Sequence, residues 1–265
     1  MENIIGPFWF EILHGIAETL NVAGYEMALF SSNDSFDKHF LDLAAGKECS
    51  GIILISIGEN HVDILKMVAA QHFPIVMCDS IATYAGIGSV QVDQYYVGQL
   101  AAEHFIQLKK KKIAILGTCP KHCMERKTGF IETLKNFDIE IPDKWKIDCV
   151  ISEEQSYQTM HDYLEKEKDL PDAIFCINDE AAIGTIHALQ NFQIQVPKDV
   201  SIIGCDNISI GRFNHPMLTT IEIPKFEVGV LAANMVLRMI LGLNAENILL
   251  NGKLIVREST CMTKK

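Results

Sequence analysis

Single polar residues stand directly after apolar, strand-like runs at three points of the sequence. Asp79 follows Ile-Val-Met-Cys, Asn178 with Asp179 follows Ile-Phe-Cys-Ile, and Asp206 with Asn207 follows Ile-Ile-Gly-Cys. Because ligands of open α/β sheets bind outside the carboxyl ends of the strands, these side chains are expected to face one binding site. Asp and Asn there can form paired hydrogen bonds to neighbouring hydroxyls or ring nitrogens. The alternative, equally compatible with the spacing, is that Asn178 and Asp206 cap helices.

Two aromatic residues near the start of the chain could complete such a site. Phe8 and Trp9 follow Gly6-Pro7, and an aromatic ring can stack on the apolar face of a sugar or a base. The sequence therefore favours a binding site for a small polar molecule.

Signatures of catalysis and of metal binding are weak by comparison. The sequence has no phosphate-binding loop, no dinucleotide fingerprint after a strand, no G-x-S-x-G elbow and no H-E-x-x-H motif. Cys119, His122 and Cys123 offer three soft ligands in five residues, but a structural zinc site usually needs a second ligand pair. We therefore expect no enzyme activity, no metal and no cofactor. A minor alternative is a sugar-active enzyme that uses Asp79 and Asp206 as its carboxylate pair.

The elements that would position these residues alternate regularly along the chain. Short apolar runs, typical of strands, are separated by longer segments with apolar residues at spacings of three and four, which is typical of βαβ units and a parallel sheet. The predicted strands are 27–30, 51–55, 75–78, 113–116, 147–151, 173–177 and 200–204. Their nearly continuous hydrophobicity indicates helices on both faces, and so a doubly wound α/β fold.

The pattern also predicts two interleaved lobes. Extended pieces at 85–93 and 218–223 lack helices of their own and are expected to cross between lobes. We predict an N-terminal lobe of 1–90 plus 223–251 and a C-terminal lobe of 91–222 plus 252–265. The strand expected before the first helix is missing or reduced to Ile4 and Ile5, so the first lobe is expected to be truncated.

Composition and charge narrow the classes of function. Of the 265 residues, 48% are hydrophobic and 22% charged, as in ordinary globular domains, and the formal net charge is −11. Such a charge repels a phosphate backbone, so this chain is not expected to bind DNA by itself. No apolar run approaches the roughly 18 residues of a membrane span. The acidic N-terminus lacks the features of a signal peptide, and the dispersed cysteines suggest reduced thiols, which together predict a cytoplasmic protein.

At these residues the sequence resembles the effector-binding core of the lactose/galactose repressor (LacI/GalR) family of transcriptional regulators. The resemblance spans nearly the whole chain in family order. It is carried by Gly6-Pro-Phe-Trp, Pro74-Ile-Val-Met-Cys-Asp79, Val92-Asp93, Arg126-Lys-Thr-Gly-Phe130, the stretch 173–184, the stretch 196–207, Pro216-Met-Leu-Thr-Thr220 and Val256-Arg-Glu-Ser-Thr260.

The resemblance implies two periplasmic-binding-protein-like (type I) lobes joined by three crossovers, a small effector in the cleft between them, and a homodimer that moves a DNA-binding headpiece. It places effector contacts at Asp79, Arg126, Asn178 and Asp206, with Phe8 and Trp9 in an aromatic turn. Asp93 is expected to cap the following helix. The effector is expected to be a carbohydrate.

Two features depart from the family pattern. The headpiece and most of the first strand are absent, so operator binding is expected only through a headpiece outside this chain. Cys205 also replaces the usual Phe before Asp206. A stand-alone sugar receptor of the periplasmic type shares the fold and is the alternative function, although eight cysteines disfavour it.

Overall fold

The computed structural model describes residues 7–30, 36–46, 48–55, 61–78, 84–118 and 123–261. Asp79, Cys119 and His122 therefore lie outside the described residues. The α-helices of the described chain are α1 (Pro7–Val22), α2 (Phe36–Gly46), α3 (Val62–Ala69), α4 (Gln94–Gln107), α5 (Met124–Lys135), α6 (Glu153–Lys166), α7 (Asp179–Asn191) and α8 (Lys225–Ile240). The strands are β1 (Ile52–Ile55), β2 (Ile75–Cys78), β3 (Gly88–Val92), β4 (Ile113–Leu116), β5 (Lys146–Ile147), β6 (Ala173–Cys176), β7 (Ser201–Cys205), β8 (Thr219–Glu222), β9 (Asn247–Leu250) and β10 (Lys253–Ile255).

The chain forms two compact units, each built from separate stretches of sequence. The first unit comprises Met1–Val92 and Pro224–Leu250, and the second comprises Asp93–Ile223 and Asn251–Lys265. The predicted alternation of strands and helices is confirmed, and so is the doubly wound α/β class, although only Ile147 of the predicted strand 147–151 lies in a strand.

The first unit contains a four-stranded sheet in the order β1-β2-β3-β9, in which every pair is parallel. Helices α2 and α3 cover one face, where Phe40 and Leu65 pack against Ile75 and Met77. Helix α8 packs on the other face, against β1, β2 and β3. Helix α1 packs in turn against α8, and it approaches so closely that a Cβ at Gly15 would overlap a backbone oxygen of α8. Both faces of the sheet are therefore covered by helices.

The predicted strand at 27–30 is wrong. The structure assigns no strand to these residues, and β1 ends the sheet on that side. A strand exists only through hydrogen bonds to a neighbour, and the described residues supply no neighbour for this segment.

The second unit contains a six-stranded sheet in the order β10-β8-β7-β6-β4-β5, parallel except for β10. Helices α4 and α5 pack as one pair and α6 and α7 as another. Three fully buried rings join the pair of α4 and α5 to β6: Phe105 on α4 contacts Phe130 on α5, and Phe130 contacts Phe175 on β6. The strands β4, β6 and β7 run side by side in the same direction, so their carboxyl ends share one edge of the sheet.

Cys78, Cys149, Cys176 and Cys205 are buried thiols, as their positions in apolar runs predicted. Cys49, Cys149, Cys176, Cys205 and Cys261 form no disulfide. Within the same residues, no helix has the length and hydrophobicity to cross a membrane.

Candidate ligand-binding site

Arg126, Asn178 and Asp206 all lie at the carboxyl edge of the second unit's sheet. Asn178 follows β6 after one residue, Asp206 follows β7 directly, and β6 and β7 are neighbours. Arg126 stands in the first turn of α5, the helix that follows β4. The sheet order thus brings together three residues that are up to 80 positions apart in sequence.

Arg126 is buried, with 4% of its surface exposed, and its guanidinium is held from two sides. Its Nε and Nη2 atoms donate to Oε1 of Gln94, at 3.0 and 2.8 Å. Its Nη1 donates to the backbone oxygen of Ile177, the residue before Asn178. Hydrogen bonds on two sides fix the orientation of this planar guanidinium.

Asp206 faces the same guanidinium, because its Oδ1 lies 4.0 Å from Nη1 of Arg126. Its backbone has φ of +109°, a value that side-chain-bearing residues rarely adopt, and the next residue, Asn207, has φ of +51°. Strained backbone of this kind clusters at ligand sites, where the surrounding structure must hold it in place.

A buried polar network below the site supplies that support. Asp179, 1% exposed, accepts from the backbone N–H of Ile208 at 2.9 Å and from Oγ1 of Thr220 at 2.6 Å. Asn207 donates through Nδ2 to Glu222 at 2.7 Å and accepts at Oδ1 from Arg257 at 2.6 Å. Asp179 and Asn207 thus hold the turn that carries Asp206, so they serve the site through its backbone.

Asn178 acts as the N-cap of α7, since its Oδ1 accepts from the backbone N–H of Ala181 at 2.9 Å. The capping role is therefore confirmed for Asn178. The cap uses the amide oxygen, while an amide also carries two N–H donors. None of the described helices has Asp206 as its N-cap. Asp93 caps α4 as expected, accepting from the N–H of Tyr96 at 2.8 Å.

Phe8 and Trp9 lie in the first turn of α1, in the first unit, and not in a turn before it. Their rings meet edge to face with centroids 4.8 Å apart. Nζ of Lys225 lies 6.0 Å from the Phe8 centroid and 3.2 Å from Oε1 of Glu11. Asp79, which is also predicted to contact the effector, follows β2 in sequence and lies outside the described residues.

No sequence motif marks two buried residues at the first positions of helices, Gln94 of α4 and Lys225 of α8. Their burial, at 5% and 2% exposure, is visible only in the structure.

Cys205 is the last residue of β7 and directly precedes Asp206, and its side chain is buried. Burial raises the pKa of this thiol well above its ordinary value, and the charge of Arg126 only partly opposes that effect. The thiol is therefore neutral at physiological pH and packs as a small apolar side chain.

The described residues contain one group with metal-ligand spacing, His161, Asp162 and Glu165 on α6. Asp162 and Glu165 are exposed, and Asp162 already accepts from Gln158 at 2.7 Å. This group is on the surface of α6 and forms no part of the site around Arg126.

Comparison with known proteins agrees with the fold. Residues 102–260 match the periplasmic binding protein-like domain family. The chain is 30% identical over 259 residues to the HTH-type transcriptional repressor PurR of Histophilus somni, covering 96% of this chain and 78% of that protein. It is 29% identical over 266 residues to the NTD biosynthesis operon regulator NtdR of Bacillus subtilis, covering 97% and 80%.

Among solved structures, a LacI family transcriptional regulator from Enterococcus faecium with bound ribose matches with a TM-score of 0.85 and 26% identity, covering 100% of this chain and 98% of that one. Interleaved units with parallel sheets and polar residues at the strand ends define a periplasmic-binding-protein-like ligand-binding protein. Within that class, the chain belongs to the LacI/GalR family of transcriptional regulators and corresponds to its effector-binding regulatory core.

Proposed function

We propose that this chain senses a sugar or sugar derivative through Arg126, Asp206 and Asn178, and that effector binding changes the affinity of the regulator for operator DNA. The observation that carries the proposal is the buried Arg126 guanidinium facing the Asp206 carboxylate at the carboxyl edge of the sheet. Family membership supplies the regulatory context.

The chemistry of the three side chains supports a polyhydroxylated ligand. A carboxylate accepts hydrogen bonds from hydroxyl groups, and a guanidinium or an amide N–H donates to them. Donor and acceptor 4.0 Å apart suit two adjacent hydroxyls, each of which both donates and accepts. The E. faecium relative, which holds ribose, is consistent with this ligand class. Effector contacts of Phe8, Trp9 and Asp79 stay predictions.

Binding alone is sufficient for this function, and we propose no chemical turnover. A coupling of about 1–3 kcal/mol between effector and operator arises when the effector has different affinities for two conformations of the regulator. We further propose a cytoplasmic homodimer in which a separate headpiece contacts DNA. The net charge of −11 supports DNA contact outside these residues.

The test is a thermal-shift screen of the purified chain with ribose, other mono- and disaccharides, sugar phosphates and nucleobases. A ligand at 100 times its Kd stabilises the folded state by about 2.7 kcal/mol, and about 2–4 °C per kcal/mol then gives a shift of several degrees. A shift with a carbohydrate supports the proposal. A shift with nucleobases alone would contradict the ligand class.

The site is tested with Asp206→Asn, which keeps shape and tolerates positive φ while removing the charge. Asp138→Asn is a matched control, because Asp138 also has positive φ, of +58°, but is exposed at the end of α5. We expect at least about tenfold weaker binding for Asp206→Asn, corresponding to about 1.4 kcal/mol. Equal affinities in both variants would reject the site.

A further inference from the structure

One face of α6 carries an imidazole and two carboxylates close together. Nδ1 of His161 and side-chain oxygens of Asp162 and Glu165 all lie within 4.8 Å of one another. Successive residues of an α-helix are rotated by about 100°, so positions 161, 162 and 165 share a sector of about 100° on two adjacent turns. We call these three side chains the α6 triad. An imidazole and two carboxylates at such distances form a ligand set for a metal ion.

The Nδ1 atom of His161 faces the triad and lacks a hydrogen-bond partner. This atom is shielded from solvent and no described residue hydrogen-bonds to it, although the His161 side chain as a whole is 32% exposed. Oδ1 of Asp162 lies 3.6 Å away, which is too far for a hydrogen bond. Because a shielded polar nitrogen without a partner is unfavourable, this atom is expected to bind a partner from outside the chain.

Neighbouring side chains hold two of the three ligands in position. The His161 ring packs between Tyr157, with ring centroids 6.0 Å apart, and Phe192, in an edge-to-face contact with centroids 5.1 Å apart. Nε2 of Gln158 donates to Oδ1 of Asp162 at 2.7 Å. Outer partners of this kind orient metal ligands and raise their affinity for the ion.

Charge favours a cation at the same place. The Asp162 side chain is 50% exposed and Glu165 is exposed. Within the described part of the chain, no lysine or arginine forms an ion pair with either carboxylate. Like charges three residues apart on a helix repel each other, and the net charge of −11 adds a general attraction for cations. A bound metal ion would relieve this repulsion.

The donor atoms select the class of metal. Imidazole nitrogen together with carboxylate oxygen suits Zn²⁺ and related transition-metal ions, whereas Mg²⁺ and Ca²⁺ prefer sets of oxygen ligands. Ligand atoms lie about 2.0–2.2 Å from a zinc ion and therefore at most about 4.4 Å from one another. A small rotation of the exposed Glu165 side chain brings the α6 triad within that limit. Three protein ligands leave at least one position for water.

We propose that the α6 triad binds one divalent transition-metal ion of the zinc class through Nδ1 of His161 and one oxygen each of Asp162 and Glu165. The ion would join two adjacent turns of α6 and hold the imidazole against Phe192, the residue that ends α7. It is therefore expected to stabilise the second unit. The proposal does not depend on effector binding, because none of the three residues belongs to the site around Arg126.

The test is a calorimetric titration of the purified full chain, with its thiols reduced, with zinc chloride. We expect saturable binding of one ion at the α6 triad. Zinc at about 100 times its Kd should also raise the Tm by several degrees. In ¹⁵N spectra of the histidine side chains, Zn²⁺ should shift the Nδ1 resonance of His161, and Mg²⁺ at the same concentration should not.

Two variants each remove one ligand. His161→Phe keeps an aromatic ring between Tyr157 and Phe192 but has no nitrogen to bind the ion. Glu165→Gln removes a charge at an exposed position, so it tests the site even if His161→Phe fails to fold. We expect the affinity of the triad for Zn²⁺ to fall by at least about tenfold in each variant.

Matched controls change the same residue types outside the triad. Nδ1 of His187 on α7 lies 3.5 Å from a single carboxylate, that of Glu153, and Glu154 is exposed in the first turn of α6. His187→Phe and Glu154→Gln should bind Zn²⁺ like the wild type. Asp206→Asn should do so as well, which separates a failure of this proposal from a failure of the effector site.

Three results would overturn the proposal. Binding that is lost in Cys123→Ser and unchanged in His161→Phe assigns the ion to the sequence group Cys119, His122 and Cys123. Equal losses in His161→Phe and His187→Phe indicate non-specific binding to surface histidines. An unchanged ¹⁵N resonance of His161 at saturating Zn²⁺ excludes the α6 triad as a site.

Discussion

Oε1 of Gln94 accepts two hydrogen bonds from Arg126, one from Nε and one from Nη2, across 32 positions of sequence. Gln94 opens α4 and Arg126 lies in the first turn of α5, so the contact joins two helix starts. A forked donor on one acceptor has little rotational freedom. The guanidinium is therefore held in one orientation, and in the proposed site such preorganisation lowers the entropy lost on effector binding.

Replacing Gln94 by Leu should destabilise the protein and weaken effector binding together. Two hydrogen bonds to a buried charge are lost, and a bond to a charged group contributes about 1.5–3 kcal/mol. We expect a loss of at least about 2 kcal/mol in the free energy of unfolding by urea. The control is Gln99→Leu on the same helix, where the partly exposed bond to Glu103 is worth less than about 0.5 kcal/mol. Similar losses in the two variants would show that Gln94 does not hold Arg126.

Gly98 is predicted to set the distance between α4 and α5, and with it the position of Arg126. A Cβ at Gly98 would overlap the backbone oxygen of Arg126 itself. Gly98→Ala should therefore push the helices apart and cost about 2 kcal/mol of stability, although Ala is the better helix former. Gly46→Ala at the end of α2, where a Cβ meets only the Glu48 side chain at 3.4 Å, should be neutral. Urea unfolding of both variants measures the difference, and a neutral Gly98→Ala would refute the close packing.

The turn after β7 can be dissected at Asn207, which has both positive φ and side-chain bonds to Glu222 and Arg257. Asn207→Ala loses the bonds and keeps the strain, whereas Asn207→Gly loses the bonds and relieves the strain. The Gly variant should be more stable than the Ala variant by about 1 kcal/mol, and both should be less stable than the wild type. Chemical denaturation of the three proteins provides the comparison. An Ala variant as stable as the Gly variant would mean that the backbone is unstrained.

The sequence patterns predicted most of the strands and the polar residues that follow them, because both depend on the local order of apolar and polar residues. The strands β4, β6 and β7 and the clustering of Asn178 with Asp206 follow from apolar runs whose ends meet in a parallel sheet. The prediction failed at 27–30, because a strand requires a partner that its own residues do not encode. The hydrogen bonds between Gln94 and Arg126 could not be predicted from the sequence either, because they depend on how closely α4 and α5 pack.

Stability should fall in mild acid because of His104. This side chain is buried on α4, where its Nε2 and Oγ1 of Thr260 lie 2.9 Å apart, and burial lowers its pKa below the ordinary 6.5. The unfolded chain therefore binds a proton at a higher pH than the folded one, so the free energy of unfolding decreases as pH falls below about 6.5. Between about pH 7.5 and 5.5, His104→Gln should lose less stability in urea unfolding than the wild type, whereas the exposed His72→Asn should follow the wild type. An unchanged pH dependence in His104→Gln would show that another group is responsible.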